Sequence, residues 1–245
     1  MQDSAQHEHE NGIPERYRRN ASFLSAEEQR KLLRSHAVII GLGGLGGTVL
    51  EELLRLGVGH ITGVDMDVFE ASNLNRQLLA TEETLGRAKT EAAVRRAAQV
   101  NPSVRFSAIR VRQDYASMCA LFRGVDVVVD ALGGLTDKAA LEKAAACNDV
   151  PVVSAGIAGM TGWCKALFPG ETGPGTLLGA EAQEGTGLTP DERLGNLAPT
   201  VFLAASLQAS LVLQILTGRP VRRETLFFDL EDYTFMPVDL AGRRS

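Results

Sequence analysis

Three glycines constrain this chain more than any other feature. Gly41, Gly43 and Gly46, with Gly44 between them, follow a short apolar segment at 37–40. They open a stretch in which Val49, Leu50, Leu53, Leu54 and Leu56 recur at helical spacing. A second apolar segment, 60–64, ends at Asp65, nineteen residues past Gly46. A strand that runs through glycine into a helix lets a ligand approach the backbone closely. The helix N-terminus then offers free N–H groups and a positive dipole to an anion. The acid at the end of the second strand can accept hydrogen bonds from ribose hydroxyls. Glycine spacing alone would also serve tight helix–strand packing. Strand, helix and acid together point to an adenine nucleotide.

The rest of the chain keeps the alternation. Helical patterns at 86–99, 115–123 and 137–147 separate strand-like segments at 104–111, 125–130 and 151–154. This order predicts an α/β fold of Rossmann-like type, a mostly parallel sheet with helices on both faces. Ser25, with Glu28 three residues on, predicts a capped helix ahead of the first strand. After a strand at 163–168 the style changes. The segment 169–197 is rich in Gly, Thr, Pro and Glu and is too long for an ordinary connection, which predicts a crossing loop of the lid or binding type. An apolar helix at 198–217 follows, with Pro199 near its start and Gly218 past its end. Strands at 225–230 and 233–238 close the chain and read as antiparallel around an acidic turn. Residues 1–15 read as a disordered tail, on which His7 and His9 are solvated, and 16–245 as a single domain.

Composition narrows the function classes. Hydrophobic residues make up 44% of the 245 residues, enough for a full core. The net charge of -5 argues against DNA or broad nucleic-acid binding, because nothing would neutralise a long phosphate backbone. Cys119, Cys147 and Cys164 form no C-x-x-C, so neither a disulfide framework nor a zinc site is expected, and the thiols read as reduced. No apolar run of membrane-spanning length and no leader is read. A cytoplasmic protein without a membrane partner is expected.

The glycines do not separate NAD from ATP. The segment that follows Asp65 does. Ser72-Asn73-Leu74-Asn75-Arg76-Gln77 and then Lys89 place cations after the ribose acid. A triphosphate needs such cations and a dinucleotide does not, since Arg offers a planar fork and Lys a point charge. The competing reading makes both solvated surface charges.

With these residues in hand, the chain resembles the ThiF/MoeB/HesA family, bacterial relatives of ubiquitin-activating enzymes. The matching stretches are Arg16-Tyr-Arg-Arg19, Gly41-Leu-Gly-Gly-Leu-Gly46, Leu56-Gly-Val-Gly59, Val64-Asp-Met-Asp67, Ser72-Asn-Leu-Asn-Arg-Gln77, Gly86-Arg-Ala-Lys89, Val100-Asn-Pro102 and Ala198-Pro199. The resemblance spans roughly 16–240 and implies an adenylation domain. ATP would bind at the glycines. The C-terminal Gly-Gly carboxylate of a small β-grasp sulfur carrier, MoaD-like or ThiS-like, would attack the α-phosphorus. By matching position, Asp65 and Asp67 would lie at the ribose end, and Asn73, Arg76, Gln77 and Lys89 would line the phosphates. Arg19 would reach into the partner subunit of a homodimer. Arg19, Arg76, Lys89 and Asp130 would be the catalytic set, with Asp130 also the ligand for Mg²⁺.

The chain departs from the family's pattern in two ways. It lacks the paired C-x-x-C motifs and has no cysteine in the crossing loop, so no zinc and a separate sulfur donor are expected. Where the family shows Asp-x-x-Asp-Asn, this chain reads Asp130-Ala-Leu-Gly133-Gly134, which leaves Asp130, with Asp137 as a weaker acid nearby. Two other readings remain open at this point: a non-catalytic nucleotide-binding module of the same fold, and activation of another carboxylate or of tRNA.

Overall fold

The computed structural model describes residues 12–133, 135–173 and 193–240, with the side chains of Leu135 and Thr136 left aside. Five strands run parallel: β1 (His36–Ile40), β2 (His60–Val64), β3 (Arg105–Ile109), β4 (Val127–Asp130) and β5 (Val152–Ala158). Three more extend the sheet antiparallel: β6 (Thr161–Leu167), β7 (Thr225–Asp229) and β8 (Thr234–Val238). The spatial order is β3-β2-β1-β4-β5-β6-β7-β8. The chain leaves β1 toward β2 and β3, then returns to β1's other edge with β4. The crevice between the C-terminal ends of β1 and β4 is therefore the topological switch point, where sheets of this kind bind ligands.

Alternation along the strands sorts the core into two layers. Ala37 and Ile39 of β1 and Val127 and Val129 of β4 face one layer, shared with α2 (Gly44–Leu56), α3 (Lys89–Val100) and the helix Ala198–Thr217. Val38, Ile40 and Val128 face the other, where Met118 and Phe122 at α4 (Tyr115–Leu121) meet Leu141, Ala144 and Ala145 of α5 (Leu135–Cys147). Helices thus cover both faces, as the sequence predicts. Ahead of β1, α1 (Ala26–Arg34) starts at the expected capping box: the Ser25 hydroxyl accepts the Glu28 N–H at 3.2 Å, and the Glu28 carboxylate accepts the Ser25 N–H at 2.7 Å. The Glu28 carboxyl is held down at about 2 by Arg219, 2.6 Å away past the end of Ala198–Thr217, and by Ser25.

Three expectations change. The helix expected from 86 starts at Lys89, because Gly86 takes φ 76° and Ala88 is extended, so Lys89 becomes the first helical residue. The strand expected at 151–154 runs on to Ala158, since β6 folds back and pairs Ala158 with Thr161. The expectation of no run of membrane-spanning length is also corrected: α6 (Ala198–Thr217) is long and apolar enough to cross a membrane. It is a core helix here, with Val201, Ala204, Ala205, Ala209 and Val212 buried against α2 and β4–β6. At the chain's start, residues 1–11 of the expected tail lie outside the described residues. Ile13 is buried and a 3-10 turn, Glu15–Asn20, begins two residues later. Most of the expected crossing loop, 174–192, also lies outside the described residues.

At the other end of the sheet His36 and His60 stack with ring centroids 3.8 Å apart. Their outer nitrogens meet the Thr62 and Ser107 hydroxyls at 2.9 and 3.1 Å. Burial lowers both imidazole pKa values below 6.5, with the neighbouring imidazole adding to the effect at His36 and Arg105 at His60. The unfolded chain then binds more protons than the folded one below about pH 6.5. Stability is fully present above that pH and falls as pH drops through the window beneath it. Urea midpoints measured from pH 8 to pH 5 are expected to decline at the acid end, and His60→Gln to flatten the decline. Midpoints that decline equally in both proteins would contradict this source.

Candidate functional site

A cavity of about 910 Å³ opens at the C-terminal ends of the strands. Gly41, Gly43 and Gly44 form one wall, and the close approaches explain why glycine is required. A Cβ on Gly46 would sit 1.8 Å from the Gly41 carbonyl oxygen, and one on Gly41, at φ 97°, would sit 2.7 Å from the Ala131 oxygen. A Cβ on Gly44 would meet Val201 of α6 at 2.9 Å. These contacts draw the first turn of α2 down onto β1 and β4. Its N-terminal N–H groups then border the cavity, as an anion site requires.

Asp65 ties the turn to β2. One carboxylate oxygen accepts the Leu42 N–H at 2.8 Å, and the other accepts the Asp67 N–H at 2.9 Å. Lys89 enters from the start of α3, its side chain 9% exposed, with Nζ 3.2 Å from Asp67 and 3.8 Å from Asp65. Asp65, Asp67, Arg76, Gln77 and Lys89 all border the cavity. Gln77 is buried with its Oε1 lacking a partner among the described residues, an acceptor free for a donor in the cavity. Arg76 is half-buried and is steered by the Ser72 carbonyl at 2.9 Å and the Asn75 side chain at 2.8 Å. Asn75 in turn donates to the Asn196 carbonyl at 3.0 Å, where the crossing segment returns to the cavity rim.

Other expected site residues lie elsewhere. Asn73 does not border the cavity. Its Oδ1 accepts the Glu70 N–H at 3.2 Å and caps its own 3-10 turn, the ordinary work of Asn at such a place. Arg19 is exposed at the end of the Glu15–Asn20 turn, away from this cavity. Tyr17 anchors that turn: it is buried, and its hydroxyl accepts Asn101 Nδ2 at 2.8 Å.

Asp130 departs most from expectation. It stands in register with Val128 on the α4–α5 side of β4 and is fully buried. Its Oδ2 accepts Lys138 Nζ at 2.9 Å and the Ser154 hydroxyl at 2.6 Å, and its Oδ1 accepts the Leu132 N–H at 3.1 Å. A cation at this carboxylate would have to displace Lys138, so these residues do not fit Mg²⁺ at Asp130. No group of three or more His, Cys, Asp or Glu that could hold a metal occurs among the described residues. The acid that does reach the cavity on this side is Asp137, paired with Arg112 at 3.4 Å. Lys138, Arg112 and Trp163 are wall residues that motif reading passes over. A lysine eight residues past the strand-end acid, one turn into the next helix, is the signal that could have found the first. None of the three cysteines borders the cavity, and burial pushes the Cys164 thiol up to about 12.

A glycine turn, a helix N-terminus, a ribose-type acid and adjacent cations at the switch point define a nucleotide-binding α/β protein of the class that handles polyphosphates. Comparison with known proteins gives the family. The ThiF family model matches residues 17–245, and the chain belongs to the ThiF family. It is 33% identical over 219 residues to the SAMP-activating enzyme E1 of Haloferax volcanii, covering 88% of this chain and 80% of that one. It is 30% identical over 230 residues to the sulfur carrier protein adenylyltransferase of Thermus thermophilus, covering 86% and 81%. The fold is shared with the crystal structure of E. coli MccB with ATP: TM-score 0.79, 23% identity, covering 96% of this chain and 74% of that one.

The glycine geometry makes a sharp prediction. Gly46→Ala is expected to cost about 1–3 kcal/mol or more in urea unfolding, since backbone must move to admit the methyl. Gly133→Ala, where a Cβ meets nothing within 4 Å, is expected to stay within about 0.5 kcal/mol of the parent. Equal effects at the two positions would contradict the packing described.

Proposed function

We propose that the chain adenylylates the C-terminal Gly-Gly carboxylate of a small β-grasp sulfur carrier, MoaD-like or ThiS-like, in molybdopterin, tungstopterin or thiamine assembly. The coarser statement rests on kinship: the chain is an enzyme of the adenylyltransferase type and uses ATP. One observation carries the reading. The cavity joins two unlike limbs in one continuous space: a polar limb at Gly41, Asp65 and Lys89, and an apolar limb at Ile157, Trp163 and Phe227 on β5, β6 and β7. A nucleotide suits the first and an extended small-residue tail the second. Beyond the second limb Tyr233, Phe235 and Met236 are exposed around β8, an apolar surface of the kind that marks a protein partner.

In this reading the triphosphate lies against the first turn of α2, and Asp65 accepts the ribose hydroxyls. Lys89 releases Asp67 and, with Arg76, meets the phosphate oxygens. The carrier's carboxylate oxygen attacks the α-phosphorus. The bond to the pyrophosphate oxygen breaks, and an acyl-adenylate and pyrophosphate result. The protein's contribution is charge stabilisation and positioning. Mg²⁺ would travel with the phosphates. Arg19 serves the partner subunit's site in a homodimer, the protein is cytoplasmic, and residues 16–245 form one adenylation domain. Sulfur comes from a separate donor, in keeping with thiols that stand away from the cavity.

A second reading has one observation in its favour. Gly133 borders the cavity where the family's pattern has a carboxylate, as a non-catalytic nucleotide-binding module would. ATP–pyrophosphate exchange separates the two. Exchange is expected only when a Gly-Gly-ending carrier is added, and Lys89→Ala is expected to lower it by roughly 10²–10³-fold, the scale for loss of one transition-state charge contact. Tight ATP binding with no exchange in the presence of MoaD-like and ThiS-like carriers would favour the second reading.

A further inference from the structure

The buried pair Asp130–Lys138 is unexplained by packing and by the roles given above. The two side chains are 0% and 3% exposed. Taking two charges out of water costs several kcal/mol per ion, and a buried pair is often no more stabilising than apolar residues of the same volume. A pair kept at such a place needs another use.

Its geometry indicates one. Lys138 has three N–H donors. One goes to Asp130 Oδ2 at 2.9 Å and a second to the Ala155 carbonyl at 3.1 Å. The third has no partner among the described residues, and the side chain borders the cavity. The ammonium lies 5.9 Å from the centre of the Trp163 ring. Ala155 and Trp163 belong to β5 and β6, the antiparallel limb, and Trp163 closes over Gly156, where a Cβ would stand 2.6 Å from the indole nitrogen. The cations at the other limb, Arg76 and Lys89, come from different elements. Lys138 is thus a desolvated cation with a spare donor, on the limb opposite the ribose acid.

We propose that Lys138 binds the C-terminal carboxylate of the carrier, the adenylyl acceptor, and that Asp130 is the positioning residue that holds it. This rests on the adenylylation reading. Asp130 fixes the ammonium with Ser154 and Ala155 as its neighbours, and the third N–H donates to the incoming carboxylate oxygen. The same contact orients the other carboxylate oxygen toward the α-phosphorus. No bond is made or broken at Lys138. It is a catalytic residue by contact with substrate, and the strand-end aspartate works through it.

The test is a binding cycle with two forms of one probe: a MoaD-like carrier ending in Gly-Gly, and the same carrier with its terminal carboxylate amidated. Binding is measured calorimetrically with the non-hydrolysable ATP analogue AMPCPP present. The variant is Asp130→Asn/Lys138→Met, which removes both charges and leaves neither buried alone, and Lys138→Arg is the conservative control. In the parent, amidation is expected to weaken binding by roughly 10- to 100-fold, the worth of a hydrogen bond to a charged group. In the double variant that penalty is expected to vanish, with AMPCPP affinity unchanged within about threefold, while Lys138→Arg retains part of it. An equal amidation penalty in parent and double variant would overturn the assignment alone. A loss of AMPCPP affinity with the amidation penalty intact would overturn it in favour of a phosphate contact. Failure of the unmodified Gly-Gly form to bind the parent, with a MoaD-like and with a ThiS-like carrier alike, would overturn the adenylylation reading and this assignment with it.

Discussion

The Asp65 carboxylate holds the site together. It is largely buried, and its two oxygens accept N–H groups from Leu42 in the glycine turn and Asp67 beyond β2. Through these two bonds the end of β2 fixes the shape of the loop after β1. Lys89, resting between Asp65 and Asp67, brings the start of α3 to the same point. The arrangement gives three segments a common anchor and leaves the α2 N-terminus facing the cavity. In the proposed reading this acid faces the ribose, while the donors and the cation it gathers are left to the phosphates.

The second half of the sheet depends on the first through α6. This helix touches Gly44 through Val201 at its N-terminal end. Further along, Gln208 donates to the Asp130 and Val153 carbonyls at 2.9 and 3.1 Å. It therefore spans the parallel strands and the antiparallel extension, and it buries the small residues that let it lie close. At the turn from β5 to β6, Thr200 of the same helix donates to the Gly159 carbonyl at 2.7 Å. The polar and apolar limbs of the cavity are set against each other by one rigid element, so a displacement at either end would be felt at the other.

Much of this was legible in the sequence because it rests on short-range pattern. The strand–glycine–helix unit, the position of Asp65, the span of α6 and the closing antiparallel pair follow from periodicity and from turn residues, and they are observed. The direction of single side chains was not legible. Asp130 ends a strand that is apolar on both faces, so nothing in Val127-Val-Val-Asp130 says whether the acid points to the cavity or into the α4–α5 layer. Register with β5 decides it, by placing Ser154 opposite, and Lys138 then becomes its partner from another element. Asn73 looked like a ligand-facing amide, yet the 3-10 turn claims its side chain. Composition alone likewise could not tell a core helix from a spanning one at Ala198–Thr217, since both are long and apolar, and only its packing partners differ.

In the proposed reading the Asp65–Lys89 end of the cavity is built for a triphosphate rather than a dinucleotide. Calorimetric titration with ATP and with NAD, in the parent and in Lys89→Ala, distinguishes the two ligands. ATP is expected to bind and NAD not to, and Lys89→Ala to weaken ATP by roughly 10- to 100-fold, the scale of one charge-assisted contact. NAD binding more tightly than ATP, or ATP affinity indifferent to the loss of Lys89, would contradict it.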